Sequence, residues 1–447
     1  MLAFVPPTVL APLLSLLLFI IGHGLLSTLL TLRLSAEGVS AGWIGLVSTA
    51  YFAGLVLGSF VNARLIGRVG HIRAYAAYAS LLAALALWHG LLVDPLAWSL
   101  LRLLGGFATG GLFVVIESWM LVSSSPATRG RLMALYMILL YGGLAGGQWL
   151  LRYIDPLALS PFALVAISAS LSVIPLALTR VGMPQTETYR PLGFFTLWRL
   201  TPAGMGSSLA SGLLLGALYG LLPLFFTRQG LPLEQVANQM ALVILGGVCL
   251  QYPLGRLSDR VDRRRILALV GTGLAVLSLI LLLLSQLVLP EVQAGLIFLF
   301  GGLVFSLYPI SLSHACDELT PEQMLSANQG MLLSYSLGST AGPLLASQSM
   351  ARLGSSSLFG YFALCAGGLA LYLVWRQKVR SAVPLAEHQS YMPVPPNTPL
   401  AADLDPRIPT ESTLEPQASQ SDMAPPSRTG RTRPGANNDC SRSATGI

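Results

Sequence analysis

Three ionisable side chains stand inside long apolar runs of this sequence: His23 in GHGLL, Arg102 in LLRLLGG and Glu117 in VIESW. Outside such runs, the stretch Gly255 to Arg265, GRLSDRVDRRR, packs five arginines and two aspartates into eleven residues. Ionisable groups at membrane depth are costly and mark functional candidates. Histidine changes charge near neutral pH, so His23 is a candidate proton carrier or solute ligand; a neutral histidine packed between Gly22 and Gly24 is the plainer reading. Arg102 offers a planar fork to an anionic or polar group, or it snorkels to water from about 8 Å below the end of its run. Glu117 is placed to pair with Arg68, Arg73, Arg129 or Arg131 as a gate, or to carry a proton. Arg102 and Glu117 lie about 22 Å apart along a helix, on neighbouring faces, so both can look into one cavity without pairing.

The elements that must position these groups follow from composition. The chain has 447 residues, 53% apolar and only 10% charged, which places it outside the soluble class. Stretch 266–289 carries no charge over the roughly 20 residues a helix needs to cross hydrocarbon. Apolar runs between charged or Pro/Gly punctuation predict an all-α membrane protein with twelve spans: 8–32, 43–63, 74–93, 97–122, 131–151, 158–179, 202–227, 235–255, 266–289, 292–315, 325–350 and 356–375.

With the N-terminus inside, Arg33, Arg152, Arg228 and Arg352 are the basic residues left on outer loops, whereas the inner loops collect Arg64, Arg68, Arg73, Arg129, Arg131, the 256–265 cluster and Arg376 to Arg380. That bias predicts cytoplasmic N- and C-termini. Trp43, Trp88, Trp98 and Trp149 then fall at outer span ends and Trp119, Trp198 and Trp375 at inner ends, the headgroup level that tryptophan favours.

Other chemistries lack their residues. The net charge of +7 belongs to membrane loops, and with no GxxxxGK[ST] and no aromatic interleaving neither nucleic acid nor a nucleotide is expected as partner. Cys249, Cys316, Cys365 and Cys440 form no pairing pattern, and His314 with Asp317 gives two metal ligands without a third, so no disulfide, metal or cofactor is expected. The N-terminal run lacks a basic leader and reads as a retained first span. His89 is expected at the membrane interface.

The halves repeat. A shift of 196 lays Gly24 to Thr31 on Gly220 to Thr227, Gly105-Gly106 on Gly301-Gly302 and Arg180 on Arg376; a shift of 197 lays Asn62 on Asp259, and 195 lays Gly143 and Gly147 on Gly338 and Gly342. Six spans per copy is an even number, so the repeat is parallel. The expected organisation is a six-helix bundle over 1–180, a cytoplasmic linker over 181–200, a second six-helix bundle over 201–380 and a disordered tail over 381–447, rich in Pro, Ser and Thr. The glycines of both halves predict smooth helix faces for tight packing.

On these residues the chain resembles the major facilitator superfamily. Gly255, Asp259, Arg260, Arg263 and Arg264 match the superfamily's loop signature, Asp262 standing where it has a second glycine, and GSFVNARLIGRVGHIR in the first half is a worn copy. Arg102, Gly106 and Gly110 resemble its fourth-helix signature, and VIESW, RGRLMALY and LGRLSDRVDRRR together resemble a poorly characterised bacterial branch. The resemblance implies a secondary transporter of a small solute, working by alternating access in a bacterial plasma membrane, with a monomer expected; Glu117 and His23 are the candidates for proton coupling. It implies that His23, Arg102, Tyr219 and Tyr308 line the path, and that Asp259 accepts from backbone N–H groups at the start of the eleventh span, near Leu325. Loop arginines would then pair with Asp317 and Glu318 and latch the inner gate in the outward-open state. Rival classes are a transport-dead sensor with the tail as output, and an intramembrane enzyme, for which no GxSxG or HExxH is present.

Overall fold

The computed structural model describes residues 7–122, 126–179, 193–284 and 290–396. Lipid offers no partner for backbone N–H and C=O, so a chain this apolar must satisfy them within helices. Among the described residues these are α1 (Pro7–Ala36), α2 (Ala41–Val69), α3 (His71–Leu91), α4 (Pro95–Val122), α5 (Pro126–Leu150), α6 (Ser160–Leu171), α7 (Val173–Ala177), α8 (Phe194–Leu200), α9 (Pro202–Arg228), α10 (Leu233–Ser258), α11 (Arg263–Leu284), α12 (Pro290–Glu318), α13 (Pro321–Leu353) and α14 (Ser357–Val379). No strand occurs among the described residues.

Among the described residues eleven spans, with α6 and α7 taken together, are long and apolar enough to cross a membrane. α13 contains the expected 325–350 run but is not among those eleven. It is held between α2 and α9, so small and polar residues there meet protein instead of lipid. The expected 158–179 span is interrupted at Ser172, whose hydroxyl accepts from Tyr75 Oη (3.1 Å) and donates to the Ala169 carbonyl (2.7 Å).

Helix ends follow local chemistry. Gly70, at φ 88°, alone joins α2 to α3, a conformation that favours glycine. Asp94 Oδ1 accepts from the Ala97 N–H (2.7 Å) at the start of α4, and a Thr320/Gln323 capping box opens α13. Of the expected linker, 181–192 lies outside the described residues, while α8 buries Leu197 against Gly330 of α13.

Glycines set the closest helix approaches. A Cβ on Gly106 would strike the Tyr51 carbonyl oxygen, bringing α4 onto α2; a Cβ on Gly301 would strike that of Val243, bringing α12 onto α10. Gly147 meets α1 at Ile21, and Gly338 and Gly342 meet α9 at Leu209 and Leu213. Gly142 and Gly146 face open space instead, so the expected smooth face on α5 is narrower than the sequence suggests.

Three expectations need correction. Trp98 and Trp119 are buried in protein, Trp98 donating to the Leu92 carbonyl (2.6 Å), whereas Trp43, Trp88, Trp149 and Trp375 are exposed. His89 is buried, its Nδ1 2.6 Å from the Leu85 carbonyl and its ring edge-on to Trp98. The tail expected to be disordered from 381 is packed as far as 396: Tyr391 and Val394 are buried, and carboxylates of the helical bundle accept its backbone N–H groups. Residues 397–447 lie outside the described ones.

Candidate functional site

A cavity lies between α1, α2, α4 and α5 on one side and α9, α12 and α13 on the other. His23, Arg102, Tyr219 and Tyr308 all line it. His23 Nε2 is 3.2 Å from Tyr51 Oη, and the Arg102 guanidinium lies over the Tyr51 ring, 4.1 Å from its centroid. Arg102 is therefore buried against an aromatic face and does not snorkel. The glycines around His23 serve close approach: α1 stays an unbroken helix while Gly22 seats Ser168 of α6 and Gly24 seats Leu144 of α5.

Sequence reasoning missed most of the cavity wall. Tyr51, Tyr141, Tyr335 and Phe305 complete an aromatic lining, with Tyr141 and Tyr219 edge-on to Phe305 and Tyr308 edge-on to Tyr335. For the three tyrosines the signal was an O–H in mid-span, where it has no lipid partner. Gln148 and Thr31 also line it, with their donors committed to the Gly24 carbonyl (2.8 Å) and the Gly220 carbonyl (3.0 Å).

The cavity has two different ends. At the end away from the arginine cluster the halves are joined: Thr31 donates to the Gly220 carbonyl, Thr49 donates to the Thr340 carbonyl (2.9 Å), and Arg152 pairs with Glu234. At the arginine-rich end Val394, Pro395 and Pro396 of the post-α14 segment line the cavity.

Around that second mouth the loop residues find partners, several of them unexpected. Arg263 is buried, pairs with Asp317 (2.6 Å) and Asp259 (3.1 Å), and donates to Ser258 Oγ (3.0 Å). Asp259 accepts from the Tyr391 backbone N–H at 2.9 and 3.1 Å, in place of the expected N–H groups near Leu325, because the packed segment presents a main-chain donor there. Asp317 accepts from the Gln389 N–H (2.9 Å), and Arg263 returns a bond to the Gln389 carbonyl. Glu318 lies 3.5 Å from Arg380 instead of a loop arginine, and 3.5 Å from His314. Asp317 and Glu318 are not loop residues, since α12 continues through both. Arg264 pairs with Asp262 (2.9 Å) and donates to the Arg380 carbonyl (2.8 Å), whereas Arg260 is exposed and makes no ion pair among the described residues. Burial opposes ionisation of Asp262, but the hydrogen bonds and charge of Arg264 outweigh it and hold the carboxyl below its ordinary range. Gly255 gives the Tyr391 ring its seat, which a Cβ would occupy. All these partners belong to the second half or the segment after it, so none of these ion pairs links the halves.

In the first half Glu117 is buried and accepts from Tyr136 Oη (2.6 Å), while Arg68 and Arg73 are exposed. Glu117 does not line the cavity with Arg102, contrary to expectation. Asn62, the counterpart of Asp259, is buried; it donates to the Phe107 carbonyl (3.0 Å) and accepts from Tyr78 Oη (2.9 Å).

A bundle of membrane-length helices around a central cavity, bridged by polar contacts at one end, is the architecture of a solute carrier. Residues 13–333 match the sequence profile of the Major Facilitator Superfamily, and the chain belongs to that family. It is 31% identical over 346 residues to the uncharacterized MFS-type transporter YcaD of Escherichia fergusonii, covering 77% of this chain and 89% of the relative. It is 32% identical over 361 residues to an uncharacterized MFS-type transporter of Yersinia pseudotuberculosis, covering 80% and 92%. Among solved structures it is similar to the nucleoside transporter NupG (TM-score 0.71, 15% identity, 84% of this chain and 100% of that one). It is also similar to a D-xylose-proton symporter (TM-score 0.63, 14% identity, 86% and 99%).

Proposed function

We propose that this chain is a secondary active transporter that carries a small solute across a bacterial plasma membrane by alternating access. The observation that carries the reading is the cavity: helices from both halves line it, threonine-to-carbonyl bonds bridge them at one end, and residues 394–396 line it at the other. Twelve spans in two parallel six-helix repeats rock about that site, with the arginine-rich end cytoplasmic. Asp259, Arg263 and Asp317 fasten the ends of α10, α11 and α12, so that the second half moves as one body. His23, bonded to Tyr51 in the cavity, is the group placed to link a proton to solute occupancy; Glu117 serves as a buried tie between α4 and α5.

Reconstitution into proteoliposomes tests this. A solute found by thermal shift of the purified protein should exchange across the bilayer with saturation, and an imposed pH gradient should drive its accumulation. Binding without exchange would remove the transport reading, and exchange indifferent to the gradient would remove the proton.

A further inference from the structure

Resting on the transport reading, we propose that the solute is a small aromatic or amphipathic monoanion whose carboxylate docks on Arg102. Among the described residues Arg102 is the one formally charged side chain lining the cavity, and no aspartate or glutamate lines it. The guanidinium is stacked on Tyr51 yet makes no ion pair or hydrogen bond among the described residues. An unpaired buried cation at membrane depth is costly, and an aromatic face returns only part of that cost. The planar fork of arginine matches a carboxylate bidentately, so the missing counter-charge is supplied by the solute. Tyr141, Tyr219, Tyr308, Tyr335 and Phe305 offer faces and edges to an apolar body. A cationic solute finds no acid to receive it.

The test is a binding comparison on full-length protein with 2-naphthoate, its neutral isostere 2-naphthamide and the cation 2-naphthylmethylamine. Naphthoate should bind at least about tenfold tighter than the amide, and Arg102→Gln should erase that preference while Arg102→Lys keeps only part of it. Equal or tighter binding of the amide or amine, or no binding of naphthoate, overturns the assignment, and the wild-type comparison stands even where Arg102→Gln fails to fold. In proteoliposomes, exchange of a neutral solute that naphthoate does not inhibit leaves transport standing and overturns the anion. Naphthoate binding without exchange does the reverse.

A separate set of contacts points to a second device. The segment 389–396 occupies the arginine-rich mouth as a built-in plug: the geometry assigns Tyr391 as its anchor and Val394-Pro395-Pro396 as its tip in the cavity. Its backbone is held by Asp259, Asp317 and Arg263, and Tyr391 sits on Gly255 of the second half. Met392 Cε lies 3.5 Å from where a Cβ on Gly130 of α5 would be, so the segment touches both halves. Solute cannot use this mouth while the tip is seated, and the rocking motion requires its release. Solute accessibility is therefore regulated in cis by the chain after α14.

A reporter thiol tests the plug independently of any solute. In full-length protein with Cys249, Cys316, Cys365 and Cys440 replaced by serine, Ser27→Cys places a thiol in the cavity wall. Its modification by a charged thiosulfonate should be slow, and Tyr391→Ala or Gly255→Ala should speed it by about tenfold, as expected for a seated segment that must open locally. Rates within about twofold of the parent in both variants overturn the plug. If one variant does not fold, the other decides, since each removes a different side of the same contact.

Discussion

Asn62 shows how a single atom separates the two halves. It stands where the second half has Asp259, and its amide donates to the Phe107 carbonyl while its carbonyl accepts from Tyr78. A carboxylate cannot make the first bond. Asn62→Asp should therefore lower stability by about 1–3 kcal/mol, more when ionised, read as a fall in the thermal unfolding midpoint in detergent; an unchanged midpoint would remove this role. Asp262 carries the opposite lesson. Its carboxyl is held below the ordinary range by Arg264, against the effect of burial, so the pair contributes stability above the unfolded carboxylate range that is lost as pH falls through the folded value. Asp262→Asn should thus cost stability at pH 7, and the difference from wild type should shrink below about pH 4, measured by unfolding at each pH. The sequence displayed both residues but not their partners. Phe107 and Tyr78 are ordinary apolar-run residues, and only folding brings them within hydrogen-bond reach of Asn62.

At the scale of helices, the glycine positions govern which pairs can touch. Gly106 and Gly301 each sit under a backbone carbonyl of the neighbouring helix, so a methyl at either must push two helices apart. Gly301→Ala should destabilise by about 1–3 kcal/mol, whereas Gly146→Ala, facing open space, should be close to neutral; differential scanning of both variants checks the contrast. Most span positions were legible in the sequence because charge-free runs are local signals. The polarity of α13 and the break at Ser172 were less legible, since both reflect burial against other helices. The candidate site was half visible: His23, Arg102, Tyr219 and Tyr308 were expected on the path and line the cavity, while Tyr51, Tyr141, Tyr335 and Phe305 were hidden among ordinary aromatic residues of their spans.

Across the whole molecule, one end of the cavity is closed by helix-to-helix bonds and the other by a segment of chain. Bridging Thr49→Cys to Thr340→Cys with a short thiol-reactive reagent should abolish solute exchange, and cleaving the bridge should restore it; exchange that persists would contradict alternation at this seam. The tail was the least legible part, because Pro-rich composition predicts disorder and says nothing of acceptors waiting elsewhere. Asp259, Asp317 and the bare face of Gly255 supply them. That arrangement imposes an order on biogenesis. Residues 389–396 are translated after every helix they touch, so the ribosome delivers all of the spans before the piece that reaches from Gly255 to Gly130 exists. Until then Arg263 holds its two aspartates without help from the main chain, and the mouth of a newly inserted molecule stands open.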